Sequence, residues 1–211
     1  MKNHIKRIAA PRTWVLNRHE RTFALRPNSG SHSLHSGLAL GLILRDMLKL
    51  GATTHEIRKI LLNTEVLVDG KRTKDHRYMV GLFDVISIPE LKKHYRVIFD
   101  RKGRITIIEI PAAECNVKLC KVVGKSVVRG AKIQIHLYDG KNILSDATVA
   151  VGDSLLVSLP DLKVKEVFAL GVGCSVFLAK GKHSGDMGTV KELKTEEAVY
   201  TATQGGDVAT A

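Results

Sequence analysis

The stretch TTHEIRKILLNTEVLVDGK, residues 53–71, changes its period halfway along. Thr53 or Thr54 is placed to cap a helix, Glu56 falls in its first turn, and Ile57, Ile60 and Leu61 share one face while Arg58 and Lys59 point away from it. After a loop at 63–65 the spacing becomes that of a strand, Val66 to Val68. Asp69-Gly70, followed by Lys71, Arg72 and Thr73, is a hairpin signal, because both residue types accept the positive φ of a tight two-residue turn. Upstream, Leu38, Leu42, Ile43, Met47 and Leu50 recur at helical spacing and Gly51 is a natural stop. Downstream, Val85 to Ile88 reads as a strand that closes the unit before Pro89. Arg58, Lys59, Lys71, Arg72, Lys74 and Arg77 gather on the second helix and the turn, the disposition that a phosphate-binding face requires.

The flanks differ from this unit in kind. Residues 1–37 show no sustained period and read as an extended arm, with Lys6, Arg7, Arg12, Arg18 and Arg26 spread around Trp14, residue types that pair with phosphates and stack on bases. Residues 91–168 read as short strands joined by turns. The hairpins expected are 95–110, turning at Arg101-Lys102-Gly103; 132–144, turning at Asp139-Gly140; and 155–170, turning at Pro160-Asp161. Between the first two, 111–116 suits one helical turn with proline at its start. Beyond Cys174 a strand runs into GKHSGDMGTV, residues 181–190, and out again, with a further strand at 198–203.

Across 211 residues, 33 Lys and Arg face 21 Asp and Glu, a net charge of +12 that calls for a polyanionic partner, nucleic acid before membrane. The surplus is uneven: residues 1–50 hold 9 basic against 2 acidic groups, whereas 151–211 hold 6 against 8. The run Leu38 to Leu44 is far too short to span a bilayer, and the basic start at Lys6 and Arg7 is broken by Pro11 and Arg12 before a signal-peptide core could form, so a cytoplasmic protein is expected. Cys115, Cys120 and Cys174 form neither a disulfide framework nor a zinc motif and are expected to be buried thiols.

Catalytic motifs do not survive their spacing tests. Gly124-Lys125-Ser126 ends like a nucleotide loop, but the required earlier glycine would fall at 119, which is Leu. His55-Glu56 opens like a zinc protease motif, but its second ligand position, 59, is Lys. His32 and His35 lack the further ligands of a closed metal site. No catalytic residue, metal or cofactor is expected.

With these residues in view, Thr53 to Leu61, Val66 to Lys71 and Tyr78 to Ile86 resemble the S-four RNA-binding module, in which two helices and a Val-Asp-Gly turn form one basic surface for folded RNA. Where that family often begins its helix with Ser-Arg, this chain has Thr53-Thr54. Gly181-Lys182, Gly185 and Gly188-Thr189-Val190 resemble the KOW motif, a loop of a small SH3-like barrel. In that reading Gly185 and Gly188 supply positive backbone angles and let RNA approach, with Lys180, Lys182 and His183 nearest the phosphates. The order of parts, with Lys6 to Trp14, Arg26 to Gly30, Phe83 to Ile88, Asp100-Arg101-Lys102-Gly103-Arg104 and Lys118 to Val122, is similar to the archaeal and eukaryotic type of small-subunit ribosomal protein four.

The resemblance implies an α+β, multi-module chain: an extended basic arm over 1–37, a small αα-β RNA-binding module over 38–90, a β-rich central domain over 91–168 and a KOW barrel over 169–211. It also implies a strand beyond Gly205 to Ala211, leaving either an incomplete barrel or a clipped chain. The function implied is that of a non-enzymatic structural constituent of the small ribosomal subunit, with ribosomal RNA and neighbouring ribosomal proteins as partners; the alternative is a free RNA-binding factor in translation or RNA modification. Arg101, Lys102 and Arg104 join the expected RNA contacts.

Overall fold

The computed structural model describes residues 4–130, 132–145, 148–181, 183–193, 198–202 and 207–210. It is mostly β-sheet with few helices. A strap comes first, carrying the paired strands β1 (Ile5–Lys6) and β2 (Phe23–Ala24). Strand β3 (Gly37–Ala39) leads into helix α1 (Leu40–Leu42), which continues as one widened turn, Ile43–Met47, and helix α2 (Thr54–Asn63) follows. Then come β4 (Leu67–Val68), β5 (Lys71–Arg72), β6 (Met79–Gly81), β7 (Val85–Ile88), β8 (Lys93–Phe99) and β9 (Ile105–Ile110). β3 pairs with β6, and the other five strands form one antiparallel sheet in the order β5-β4-β7-β8-β9.

The local chemistry of the opening stretch gives this geometry. The Thr53 hydroxyl accepts from the Glu56 amide at 3.2 Å and the Glu56 carboxylate accepts from the Thr53 amide, a reciprocal cap that starts α2. Ile57 and Leu61 are fully buried beneath it. Asp69 and Gly70 both adopt positive φ, 50° and 75°, the mirror-image turn whose twist suits a two-residue hairpin.

Three expectations are corrected here. The first helix begins at Leu40, because Gly37–Ala39 is taken by pairing with β6. The boundary expected at 90 falls inside a sheet: Pro89–Leu91 is a single turn of a β7–β8 hairpin, ended by Lys92 at φ 51°, so proline there marks a corner. The expected arm is a folded strap, since Ala10, Trp14 and Ala24 belong to the same core as Leu40, Ile57, Ile86 and Val97.

A second antiparallel sheet, ordered β12-β11-β10-β13-β14, is built from β10 (Val117–Val127), β11 (Ile133–Leu137), β12 (Asn142–Leu144), β13 (Ser154–Ser158) and β14 (Val164–Phe168). It has its own core of Cys120, Val122, Ile135, Leu137, Leu155 and Val157. Of the three cysteines only Cys120 is buried; Cys115 and Cys174 are half-buried.

The last sheet, β15 (Ser175–Phe177), β16 (Met187–Leu193), β17 (Ala198–Ala202) and β18 (Asp207–Thr210), is open in the order β15-β16-β17-β18. Among the described residues no sheet closes on itself. Within the terminal stretch β18 pairs with β17, Val208 opposite Tyr200. Among the described residues no helix is long and apolar enough to cross a membrane.

Candidate nucleic-acid interface

Helix α2 and the β4–β5 hairpin present one basic face. Arg58, Lys59, Lys71, Arg72 and Lys74 are all exposed on it. The Arg72 guanidinium donates to the Leu62 carbonyl at 3.3 Å and so ties the hairpin to the end of α2. Arg58 donates to His76 Nε2 at 3.1 Å. Burial first, and then the Arg58 charge, hold the His76 imidazole below its ordinary pKa, which keeps the ring neutral and able to accept that bond.

A second basic ridge forms where two turns meet. The 183–186 turn sits on the β8–β9 turn so closely that a Cβ on Gly185, at φ 91°, would lie 2.0 Å from the Asp100 carbonyl oxygen. Only glycine fits there. Exposed Arg101, Lys102 and Arg104 from one turn therefore stand beside exposed Lys180 and His183 from the other. This corrects the expectation for the glycines: Gly185 admits the protein's own backbone, and Gly188 lies within β16 against the Thr201 carbonyl. Lys182 lies outside the described residues.

Several residues expected on RNA face inward. Trp14 is 2% exposed, and its Nε1–H donates to the carbonyls of Leu34 and Gly37 at 3.1 and 3.0 Å. Arg7 is buried, donating to the Asn17 carbonyl at 2.6 Å and pairing with Glu20 and Asp46, each at 3.4 Å. The Arg77 guanidinium donates to the carbonyl of half-buried Arg26 at 2.9 Å. Arg18 is half-buried and bonds to backbone carbonyls of the strap. Lys6 and Arg12 remain exposed. An aromatic residue among arginines reads as a stacking platform in sequence, but here the same residues are what folds the strap.

Two features escaped the sequence. Lys121, Val123, Lys125, Val127 and Arg129 are all exposed along β10 and the turn after it, a basic and aliphatic stripe whose alternation by two was its only signal. The other is hidden. Lys118, with no side-chain exposure, donates to Asp69 at 2.9 Å, to Asp139 at 3.0 Å and to Asp84. Lys141 bridges Asp69 and Asp139, His32 lies 3.0 Å from Asp84, and the Tyr138 hydroxyl donates to the Leu82 carbonyl. Burial is the largest single influence on Asp84 and Asp139 and opposes their ionisation, but Lys118, together with His32 at Asp84 and Lys141 at Asp139, outweighs it and holds both carboxyls below their ordinary range. The cluster fastens the first sheet, the strap and the second sheet to one another, and so sets where the β10 stripe stands relative to the β4–β5 hairpin.

Comparison with known proteins gives a consistent picture. Residues 1–35 match the RS4NT (NUC023) domain and residues 91–164 match the ribosomal family S4e. The small ribosomal subunit protein eS4 of Methanocella arvoryzae is 43% identical over 91% of this chain and 81% of its own length. That of Methanocaldococcus jannaschii is 42% identical over 92% of this chain and 82% of its own. The crystal structure of the 30S ribosomal protein S4e from Thermoplasma acidophilum superposes with a TM-score of 0.69 at 31% identity, covering 82% of this chain and 91% of that one.

Proposed function

The chain belongs to the ribosomal S4e family, and from that premise we propose that it is a non-enzymatic structural constituent of the small ribosomal subunit, bound to ribosomal RNA and to neighbouring subunit proteins in the cytoplasm. The observation that carries the RNA contacts is charge left unpaired. Among the described residues, Arg58, Lys59, Lys71, Arg72, Lys74, Arg101, Lys102 and Arg104 have no carboxylate within ion-pair distance. Apart from the Arg72 bond to the Leu62 carbonyl and the Arg58 bond to His76, folding does not use these charges, and each can displace a counterion from phosphate.

In this reading α1, α2 and the β4–β5 hairpin act as an S-four-type module, and β15, β16 and their glycine turn as a KOW-type element. Lys6, Arg12, Lys180, Lys182 and His183 extend the contact beyond the two main faces. Phosphate neutralisation supplies most of the affinity and the fixed spacing of the faces supplies shape selection. The test is sedimentation of a lysate through a high-salt sucrose gradient with quantification of the chain per small subunit. One copy retained in the subunit peak is expected; release to the top of the gradient would refute a structural role.

A further inference from the structure

A cleft of about 640 Å3 opens between the strap and the β8–β9 turn. Ile8, Val15 and Leu16 give it an apolar floor, Arg12, Lys102 and Arg104 stand around it, and among the described residues no carboxylate lines it. Ile8 is 74% exposed and Val15 45%, so branched aliphatic surface is held open to solvent among cations.

The walls are fixed by the protein itself. The Ile105 amide donates to the Thr13 carbonyl at 2.8 Å and joins the strap to β9. Arg18 donates to the carbonyls of Arg7, Ile8, Ala10 and Pro11 at 3.1, 3.1, 2.9 and 2.9 Å. Those four carbonyls would otherwise turn their negative ends toward an arriving anion; bonded to a guanidinium that has no carboxylate partner among the described residues, they leave the site positive.

The chemistry selects an occupant. Cations alone would suit any phosphate, but the paired backbone of a duplex has nothing apolar to lay on Ile8 and Val15. An unstacked base does, because its two faces are apolar and its flanking phosphates are anionic. The Trp14 indole is already committed to the core, so the base would rest on aliphatic side chains and not on an aromatic platform. The volume is within the range of sites that enclose a single small ligand.

We propose that this cleft receives one unpaired, unstacked nucleotide of ribosomal RNA, its base on Ile8 and Val15 and its flanking phosphates on Arg12, Lys102 and Arg104. The inference rests on the RNA-binding reading and adds to it by assigning this cleft to unpaired RNA, which the α2 face does not require.

The experiment uses the full chain and two RNA hairpins that differ only in a single bulged 2-aminopurine, fully paired in the control. The wild-type chain is expected to bind the bulged hairpin roughly tenfold tighter, with a rise in 2-aminopurine emission. Ile8→Ser with Val15→Ser, which removes the apolar floor and leaves the charge unchanged, should reduce that affinity to the level of the paired hairpin and leave binding of the paired one unchanged. Ile8→Ser alone, at a position 74% exposed, should lose part of that discrimination with the paired hairpin unaffected, and decides the matter if the double variant melts early. Equal wild-type affinity for both hairpins, or equal losses on both, would overturn the proposal while leaving RNA binding intact. Failure to bind either hairpin would overturn the RNA-binding reading and this inference with it.

Discussion

The β4–β5 hairpin has two charged sides that serve opposite ends. On one, Asp69 turns into the protein and meets Lys118 and Lys141. On the other, two residues away, Lys71 and Arg72 stand in solvent with no acidic partner among the described residues. The buried lysine is surrounded by three carboxylates because a lone charge there would cost several kcal/mol. In the function proposed above the exposed ones gain from being bare, because a carboxylate beside them would compete with phosphate. The contrast teaches that counting lysines and arginines overstates an RNA-binding surface: some cations build the frame, and burial and partners tell them apart.

Removing a frame cation should have the largest effect. Lys118→Ala strands Asp69, Asp84 and Asp139 without their shared partner and should lower unfolding free energy by about 3–5 kcal/mol, read from urea titration; a loss under about 1 kcal/mol would mean that water or Lys141 replaces it.

Acid and alkali offer a gentler way to break the same contrast. Asp84 and Asp139 have carboxyls depressed in the fold, so their contribution is full above the ordinary carboxylate value of about 4 and is lost as pH falls through the folded values. Lys118 and Lys141 are raised: burial works against their charge, and the carboxylates overcome it. Their contribution is full below the ordinary lysine value of about 10 and is lost as pH climbs through the folded values. These four groups leave melting temperature level between about pH 4 and 10 and lower it on both sides, with a smaller decline below about pH 6.5 from the depressed His76 and above about 8.5 from the raised Cys120 thiol, and Lys118→Ala should blunt the acid limb. An acid limb identical in the variant would detach it from this cluster.

The smallest stability change is expected on the exposed side. Arg58→Ala with Lys59→Ala should shift unfolding by no more than about 0.5 kcal/mol, yet make the slope of log affinity against log salt for a ribosomal RNA fragment shallower by roughly 1.5. An unchanged slope would remove α2 from the interface.

How far the sequence discloses all this depends on range. The Thr53 to Glu56 cap, the Asp69-Gly70 turn and the 132–144 hairpin are decided by neighbours a few residues apart, and periodicity and turn chemistry reveal them. Lys118 reads in sequence as one more cation in a basic chain. Its partners lie 49, 34 and 21 residues away, and nothing near it says that it is buried. Trp14 misleads for the same reason, because its carbonyl partners lie 20 and 23 residues downstream. Gly185 was legible as a special position but not its purpose, since the atom it accommodates belongs to Asp100. Exposed cations such as Lys59 and Lys102 were easier to assign, for an exposed side chain on a cap-defined helix or a turn needs no distant partner.

The bond from the Ile105 amide to the Thr13 carbonyl also sets an order in time. A contact between residues 13 and 105 cannot form until the later one has been synthesised, and at about 5–20 residues per second that wait lasts roughly 5–20 s. Throughout it the positive head of the chain exists without the β9 strand it is built to lie against.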